Sequence, residues 1–223
     1  MDKNITNWEE IYSNNKAGSF LNYPNENLVT LFFQNRQYIN QDGKCLDFGF
    51  GSSNNSEFLI QHMQELYGVE ISQSSVNIAK KRLAKFDNFQ EKKFTVNGLK
   101  QIPSDFFDLI VAWQMLYYND ENGLISSINK LHDCLKDGGI LLCTLITNRD
   151  IKTKLAKKVE EDLYVIDERI PHQSGCKVYS PKNERDFLRL FDQFEVIDFG
   201  HFERASFMIE NTSSEYYLVA KKK

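Results

Sequence analysis

The feature that most constrains the fold of this chain is a regular alternation of short apolar runs with segments of helical periodicity. The strand-like runs occupy residues 44–48, 66–70, 94–96, 107–112 and 140–146. Helical patterns separate most of them, for example at residues 72–83 and 123–135. Repeated strand–helix–strand units favour a parallel sheet with right-handed crossovers and helices on both faces. We therefore predict an α/β fold with a doubly wound, mostly parallel sheet.

Two further strands are predicted near the C-terminus, at residues 194–199 and 216–220. No helical pattern lies between them, so we expect them to be antiparallel, which brings the predicted sheet to seven strands. The segment between the fifth and sixth strands, residues 147–182, shows no strong strand pattern. Its apolar residues recur every four positions, which predicts one amphipathic helix. These residues are Ile151, Leu155, Val159 and Leu163.

Start signals predict three more helices. Asn7 is a typical N-cap residue and is followed by an acidic residue three positions later. A second helix should follow Pro24, and a third should open at Pro181, because proline suits the first helical position.

Length, charge and cysteine usage exclude several classes of protein. The 223 residues, of which 41% are hydrophobic, are enough for one domain with a sizeable core. The net charge of −4 argues against a protein that binds nucleic acid through phosphate contacts. No apolar run is long enough to span a membrane, and the polar N-terminus does not resemble a signal peptide. The four cysteines form no CxxC pair, so we expect a reducing cytoplasm and no metal site.

A glycine-rich turn, GFGSS at residues 49–53, follows the first strand. Gly49 can adopt a positive φ and Gly51 lacks a Cβ, so a ligand can approach the backbone closely, although a plain tight turn has the same pattern. Asp47 lies at the end of the strand, where a buried carboxylate suits a cationic amine better than a pyrophosphate. The third glycine of a dinucleotide-binding turn is replaced by Asn54, which also argues against NAD or FAD.

A second acid, Glu70, ends the second strand about 20 residues after the glycines, the spacing of a ribose-binding acid. A carboxylate there can accept two hydrogen bonds from a ribose diol, and a solvated strand-end acid is the alternative. Ligands of such sheets bind beyond the carboxyl ends of the strands, where the strand order reverses. The sequence therefore predicts a nucleoside-binding site at the ends of the first two strands.

Four sequence blocks together resemble the class I S-adenosylmethionine-dependent methyltransferases. They are LDFGFGS at residues 46–52, YGVEIS at 67–72, FDLIV at 107–111 and LKDGGIL at 135–141. The blocks occur in the order and at the spacing of the family and cover residues 44–146, and the predicted terminal hairpin resembles the family's sixth and seventh strands. The resemblance implies a Rossmann-like methyltransferase fold and S-adenosyl-L-methionine as the cofactor.

The resemblance also implies roles for individual residues. Asp47 and the backbone of Gly49 would hold the methionine amine, and Gly51 would be a further cofactor-binding position of the turn. Glu70 would bind both ribose hydroxyls, and Ile71 would lie against the adenine. The other cofactor contacts would come from Gly98 and Leu99 at the adenine edge and from Trp113 at the methionine moiety.

Several positions depart from the family pattern or extend it. Asn97 stands near the place where many members have an acid that binds the adenine amino group, so Asn97 is the candidate for that contact. Tyr117 and Tyr118 stand where many members have histidines, and either could orient the acceptor or shield the sulfonium. Packing against the following helix is the alternative for both tyrosines. Tyr23 is a candidate lid residue over the cofactor, with a local packing role as the alternative.

We therefore predict a single methyltransferase domain over residues 1–223. Its parts are an N-terminal helical lid (1–40), a cofactor-binding core (44–146), a substrate or lid insertion (147–182) and a C-terminal helix and hairpin (183–223). The short insertion favours a small-molecule acceptor, and a sugar or glycan precursor is the narrower hypothesis. Two alternatives stay open: a cofactor-binding protein without catalysis, and a dinucleotide-dependent oxidoreductase.

Overall fold

Seven of the ten strands in the described part of the chain form the main sheet of the protein. The structure is a computed structural model that describes residues 3–14, 21–96, 101–170, 173–206 and 211–223. The strands in these ranges are β1 (Lys44–Phe48), β2 (Glu65–Glu70), β3 (Phe94–Val96), β4 (Phe107–Ala112), β5 (Leu135–Ile146), β6 (Lys157–Glu160), β7 (Leu163–Val165), β8 (Lys177–Tyr179), β9 (Phe194–Ser206) and β10 (Asn211–Lys222). The α-helices are α1 (Lys3–Ser13), α2 (Glu26–Gln34), α3 (Asn54–Leu59), α4 (Gln73–Leu83), α5 (Glu121–Cys134), α6 (Ile151–Lys154) and α7 (Glu184–Arg189). Within the same ranges, no helix combines the length and the apolar character needed to cross a membrane.

The main sheet has the strand order β3-β2-β1-β4-β5-β10-β9. Neighbours from β3 to β5 are parallel, whereas β10 is antiparallel to both β5 and β9. The predicted doubly wound, seven-stranded sheet with antiparallel C-terminal strands is therefore confirmed. The two hairpin strands are longer than predicted, because their outer parts pair polar residues with each other, such as Ser213 with Arg204. Such pairing leaves no apolar run in the sequence.

Both faces of the sheet carry a hydrophobic core, as the side chains along β4 illustrate. Ile110 and Ala112 pack in the cluster that contains residues of α5, whereas Leu109 and Val111 pack with residues of α2, α3 and α4. All four side chains are wholly buried. Successive side chains of a strand point to opposite faces, so a strand covered on both faces forms a continuous apolar run. The sequence therefore predicts β4 to the residue.

The strand order reverses at β1, which pairs with β2 on one side and with β4 on the other. In this register, Asp47 lies beside Gly68 of β2 and beside Val111 of β4. The carboxyl ends of β1, β2 and β4 therefore meet at one edge of the sheet, which is where sheets of this kind bind ligands.

Residues 147–182 do not form the single amphipathic helix that their spacing predicts. α6 is one turn long, and the residues after it form a three-stranded antiparallel sheet in the order β6-β7-β8. The prediction is wrong because a spacing of four is also a multiple of two, so it fits a strand as well as a helix. The burial follows the strands: Val159 on β6 is exposed and Leu163 on β7 is buried.

Two of the three predicted helix starts are also wrong. α1 begins before Asn7, whose side chain instead donates a hydrogen bond to the carbonyl of Ser174 at 3.3 Å. α7 begins after Pro181, because the side chain of Asn183 caps it. The helix predicted to follow Pro24 is confirmed as α2. Both errors arise where an Asn or Pro serves a tertiary contact or an extended segment rather than a helix start.

At the amino edge of the sheet, one carboxylate joins three strands. Asp108 on β4 accepts hydrogen bonds from the backbone N–H of Lys44 on β1 (2.9 Å), from the Nζ of Lys136 on β5 (2.8 Å) and from the side chain of Asn40 (3.0 Å). Burial alone would raise the pKa of Asp108, but these donors outweigh it and hold the pKa below its usual range. Asp108 therefore stabilises the fold at the edge opposite the predicted site.

Replacing Asp108 by alanine removes three hydrogen bonds to a charged acceptor, so we expect the free energy of unfolding to fall by about 2 kcal/mol. Urea denaturation measures the loss, and Asp137→Ala, at an exposed position near the start of β5, is the matched control, expected to change stability by less than about 0.5 kcal/mol. Because the folded pKa is lowered, the stabilisation is complete above the unfolded pKa of about 4 and disappears as the pH falls through the folded pKa. Equal effects of the two variants would contradict this role.

Candidate functional site

A cavity of about 350 Å³ opens at the carboxyl edge of the main sheet, where the strand order reverses. Most of its wall comes from three segments: the inner side of α1, the glycine turn after β1 and the loop after β4. Lys152 and Gln173 contribute to the wall from the segment 147–182. The cavity thus lies at the edge where the sequence predicts a ligand.

The glycine turn that forms one wall depends on both of its glycines. Gly49 has a φ of +75° and Gly51 a φ of +52°, in the region that favours glycine. A Cβ on Gly49 would lie 2.7 Å from the Cβ of Met115, and a Cβ on Gly51 would lie 2.5 Å from the hydroxyl oxygen of Tyr12. The absence of side chains at these positions therefore allows α1 and the loop after β4 to contact the turn.

Asp47 lies behind this turn, and its side chain is buried. Ser56 of α3 donates a hydrogen bond to its Oδ2 at 2.6 Å. Burial raises the pKa of Asp47 to about 7; the bond from Ser56 opposes the rise, and the negative charge of Glu70 adds to it. Within the described residues no cation pairs with this carboxylate. A cationic ligand group would therefore stabilise its ionised form.

Glu70 ends β2 beside the same turn and is also buried. Its Oε2 accepts a hydrogen bond from the N–H of Gly51 (2.8 Å), and its Oε1 accepts one from the N–H of Ile71 (2.7 Å). Burial raises the pKa of Glu70, and the backbone hydrogen bonds oppose the rise. The N–H of Ser72 also favours the ionised form, and the lone pairs that these donors leave free on the carboxylate can accept hydrogen bonds from a diol.

α1 covers the glycine turn with aromatic side chains. Trp8 and Tyr12 stack with their ring centroids 5.9 Å apart, and Trp8 meets Tyr118 edge to face at 5.0 Å. Burial, together with the negative charge of Glu70, raises the pKa of Tyr12 far above its usual value. The hydroxyl of Tyr12 therefore stays protonated at neutral pH.

Glu9 fastens α1 to the beginning of α4. Its Oε2 accepts hydrogen bonds from the hydroxyl of Ser72 (2.7 Å) and the N–H of Ser74 (3.2 Å), and its Oε1 accepts one from the hydroxyl of Ser74 (2.5 Å). These bonds, above all the one from the Ser74 hydroxyl, lower the pKa of Glu9 despite partial burial. A carboxylate is also favoured at a helix N-terminus. The contact holds α1 in place over the cavity.

Tyr117 and Tyr118 lie in the loop after β4, and both line the cavity. Their hydroxyls hydrogen-bond to each other, and Tyr118 also donates to the Oε1 of Gln173 at 3.0 Å. The Nζ of Lys152 lies 5.8 Å from the centre of the Tyr117 ring. Burial raises the pKa of both phenols well above their usual range, so neither is suited to act as a base at neutral pH.

Of the other predicted site residues, Trp113 lies in the cavity wall and Tyr23 lies outside it. Trp113 lines the cavity, and its buried Nε1–H has no hydrogen-bond partner in the described part of the chain. The side chain of Tyr23 is 83% exposed and is not part of the cavity wall, while its backbone carbonyl accepts a hydrogen bond from Asn54 at 3.0 Å. Its role as a lid residue stays a prediction. Three predicted adenine contacts lie outside the described residues: Asn97, Gly98 and Leu99.

The cavity wall also contains a polar residue that the sequence does not single out. Gln114 follows Trp113, has a φ of +56°, and donates through its Nε2 to the Oε1 of Glu215 on β10 at 2.8 Å. Glu215 is buried, which raises its pKa to about 7, although the charge of Lys152 opposes the rise. The two residues are 101 positions apart, so no local motif indicates the pair. In the ranges that the structure describes, no cluster of His, Cys, Asp and Glu has the arrangement of a metal site.

Comparison with known sequences assigns the family. The sequence profile of a methyltransferase domain matches residues 19–197. Because the match covers most of the chain, the chain belongs to the methyltransferase-domain family. The resemblance to class I S-adenosylmethionine-dependent methyltransferases is thereby confirmed, and a dinucleotide-dependent oxidoreductase is set aside. A search of curated proteins gives no match.

Solved structures share the fold at low sequence identity. A SAM-dependent methyltransferase from Methanosarcina mazei superposes with a TM-score of 0.66 at 19% identity, over 84% of this chain and 95% of that chain. A second SAM-dependent methyltransferase, from Anabaena variabilis, superposes with a TM-score of 0.69 at 16% identity, over 100% of this chain and 96% of that chain. The N-methyltransferase NodS from Bradyrhizobium japonicum was solved in complex with S-adenosyl-L-homocysteine. It superposes with a TM-score of 0.66 at 15% identity, over 98% of this chain and 99% of that chain. The predicted Rossmann-like methyltransferase fold is confirmed.

Removing the carboxylate of Glu9 should loosen α1. Its three hydrogen bonds to α4 are lost in Glu9→Ala, so we expect the backbone amides of α1 to exchange with solvent about ten-fold faster. Glu9→Gln keeps an acceptor oxygen and should give an intermediate rate. Hydrogen exchange measured by mass spectrometry tests this, with α5 as the internal reference. Wild-type exchange rates in α1 of Glu9→Ala would show that Glu9 does not hold the helix.

Proposed function

We propose that this protein transfers the methyl group of S-adenosyl-L-methionine to a small-molecule acceptor. The observation that carries the proposal is the pair of buried acids, Asp47 and Glu70, at the ends of adjacent parallel strands behind the glycine turn. S-adenosyl-L-methionine carries an ammonium group and a ribose diol. A buried carboxylate without a cationic partner suits the first group, and a carboxylate with free lone pairs suits the second.

The residues of the cavity wall, together with Asp47, Glu70 and Ile71 beside the glycine turn, fit this cofactor. Asp47 would pair with the methionine ammonium, Glu70 would accept hydrogen bonds from the ribose, and Ile71 would lie against the adenine. The buried Nε1–H of Trp113 is a hydrogen-bond donor without a partner among the described residues. The carboxylate of the methionine moiety would be a suitable acceptor for it. The bound cofactor supplies a sulfonium methyl group that is already electrophilic.

The protein's own task is then to align an acceptor with this methyl group and to exclude water. The rings of Trp8, Tyr12, Tyr117 and Tyr118 surround the cavity, and aromatic faces also stabilise a nearby cation. Because burial raises the pKa of Tyr117 and Tyr118 well above neutrality, we assign them an orienting and shielding role rather than proton abstraction.

The size and cover of the cavity favour a small acceptor. Asn7 of α1 donates hydrogen bonds to the carbonyl of Ser174 and to the Sγ of Cys176, so α1 meets the segment 147–182 beside the cavity. We propose that these two parts act together as a lid over the cofactor-binding core. A sugar or glycan precursor stays the narrower prediction for the acceptor.

The chemistry of the surface and the cysteines supports the remaining proposals on partners and location. The net charge of −4 favours no nucleic-acid partner. The four cysteines lie in the described part of the chain, are buried and form no disulfide there, as is typical of proteins in a reducing cytoplasm.

S-adenosyl-L-methionine and S-adenosyl-L-homocysteine should bind in the micromolar range, and NAD should not bind. Glu70→Ala should weaken binding of S-adenosyl-L-homocysteine by about 2–3 kcal/mol, because two hydrogen bonds to a charged acceptor are lost. Isothermal titration calorimetry measures both effects. Glu65→Ala, at the opposite end of β2, is the matched control and should keep the wild-type affinity.

Two outcomes of this experiment would contradict the proposal in different ways. Heat of binding with NAD alone would overturn the assigned cofactor. Normal binding of S-adenosyl-L-homocysteine by a folded Glu70→Ala variant would show that Glu70 is not the ribose ligand.

Binding of the cofactor product should weaken in mild acid. The pKa of Asp47 is raised to about 7, so this side chain becomes protonated as the pH falls through that value. The neutral acid cannot pair with an ammonium group, and the affinity for S-adenosyl-L-homocysteine should fall with it. Asp47→Asn should bind weakly and should remove most of this pH dependence. Calorimetry at several pH values tests the expectation, and identical pH profiles of the two proteins would refute it.

A further inference from the structure

The geometry points to a residue that recognises the methyl acceptor. The side-chain carbonyl oxygen of Gln114 accepts a hydrogen bond from the O–H or N–H group that is methylated, and Glu215 positions Gln114 for this contact. The inference rests on the proposed methyl transfer and adds the chemistry of the acceptor to it. The acceptor must carry a hydrogen on its reacting atom, which excludes tertiary amines and thioethers.

The backbone holds Gln114 at the cavity wall in a strained conformation. Its φ of +56° lies in the left-handed region, which costs energy for a residue that has a Cβ. The N–H of Gln114 donates to the Oγ1 of Thr144 on β5 at 3.0 Å, which fixes this conformation from the neighbouring strand. Strained residues that are held in this way occur preferentially at functional sites.

The side-chain amide of Gln114 has one end bound and one end available. Its Nε2 donates to the Oε1 of Glu215 at 2.8 Å. Its own Oε1 accepts no hydrogen bond from any residue that the structure describes, and it is not among the buried, unpaired polar atoms. Since Gln114 lines the cavity, this oxygen is an accessible acceptor there. A donor on the substrate is the partner that fits it.

Glu215 is surrounded by groups that set its charge. Burial raises its pKa to about 7; Lys152, the amide of Gln114 and the hydroxyl of Thr144 favour the ionised form, and the charge of Asp150 opposes it. Above about pH 7 the ionised carboxylate can only accept hydrogen bonds, so the NH₂ group of the amide must face it. The carbonyl oxygen is thereby directed away from Glu215. Glu215 is a positioning residue, because it acts through Gln114 and is not part of the cavity wall.

The reaction balances with these groups in place. A bond forms between the acceptor oxygen or nitrogen and the methyl carbon, and the carbon–sulfur bond breaks with its electron pair left on sulfur. The hydrogen held by Gln114 leaves as a proton to solvent water, because an amide carbonyl is too weak a base to keep it. By binding that hydrogen, Gln114 turns a lone pair of the reacting atom towards the methyl group.

Matched pairs of small probes test the contact in the presence of S-adenosyl-L-homocysteine at about pH 8, where a group with a pKa near 7 is ionised. The pairs are phenol with anisole and aniline with N,N-dimethylaniline, which separate hydroxyl from amine acceptors. We expect the donor-bearing member of at least one pair to bind about five-fold more tightly than its methylated partner, as measured by ligand-observed NMR. Gln114→Leu should abolish this difference. Gln61→Leu, at an exposed glutamine that is not part of the cavity wall, should retain it.

Equal binding within both pairs overturns the inference, as does binding of neither donor, or a Gln114→Leu variant that still discriminates. Calorimetry with S-adenosyl-L-homocysteine distinguishes a failure of the proposed methyl transfer from a failure of the proposed Gln114 contact. A wild-type protein that does not bind it refutes the proposed methyl transfer. A protein that binds it without discriminating between the probes refutes only the role of Gln114.

A second measurement uses the wild-type protein, so it does not depend on the folding of a variant. With isotope-labelled glutamine, the side-chain carbonyl signal of Gln114 should shift when a donor-bearing probe binds and should not shift with the methylated partner. The NH₂ signal of Gln114 should follow a transition near pH 7 as Glu215 ionises, and this transition should be absent in Glu215→Gln. A bound donor that leaves the carbonyl signal unchanged, or an NH₂ signal that ignores Glu215, overturns the inference.

Discussion

The burial of two carboxylates at the ends of neighbouring strands governs the architecture around the site. Taking Asp47 and Glu70 out of water raises both pKa values, and the surrounding elements must provide hydrogen-bond donors in return. Ser56 of α3 serves Asp47, and the N–H groups of Gly51 and Ile71 serve Glu70. The left-handed path of the glycine turn and the placement of α3 behind it both satisfy these charges. Asp47 has no cationic partner among the described residues, which is the basis of its proposed pairing with the methionine ammonium.

The parts of the fold and site that could be predicted from the sequence carry local signals. β4 is an uninterrupted apolar run because it is buried on both faces, and the acids at 47 and 70 stand at fixed distances from the glycines. Local periodicity is ambiguous where one spacing fits two structures, and the segment 147–182 shows this. There the apolar residues at every fourth position belong to a one-turn helix and a small antiparallel sheet.

Contacts between residues that are far apart in the chain could not be predicted, because no local sequence pattern indicates them. The hydroxyl of Tyr12 lies against Gly51, whereas the side chain of Tyr23 is exposed. This placement depends on the docking of α1, which Glu9 holds at the beginning of α4. The bond between Gln114 and Glu215 depends on β10 lying beside β5, which only the complete sheet establishes. The proposed cofactor contacts therefore have a local signal in the sequence, whereas the proposed acceptor contact, which depends on pairing across the sheet, has none.

The place of β10 in the sheet sets an order for assembly of the site during synthesis. This strand lies between β5 and β9, although it follows both of them in the chain. As the chain emerges from the ribosome with its N-terminal part first, β5 remains an unpaired edge until residues 211–222 have been made. Asp47 and Glu70 have been synthesised before that moment, whereas Glu215 is part of the closing strand. The residues proposed to bind the nucleoside are therefore made well before the residue proposed to position the acceptor contact.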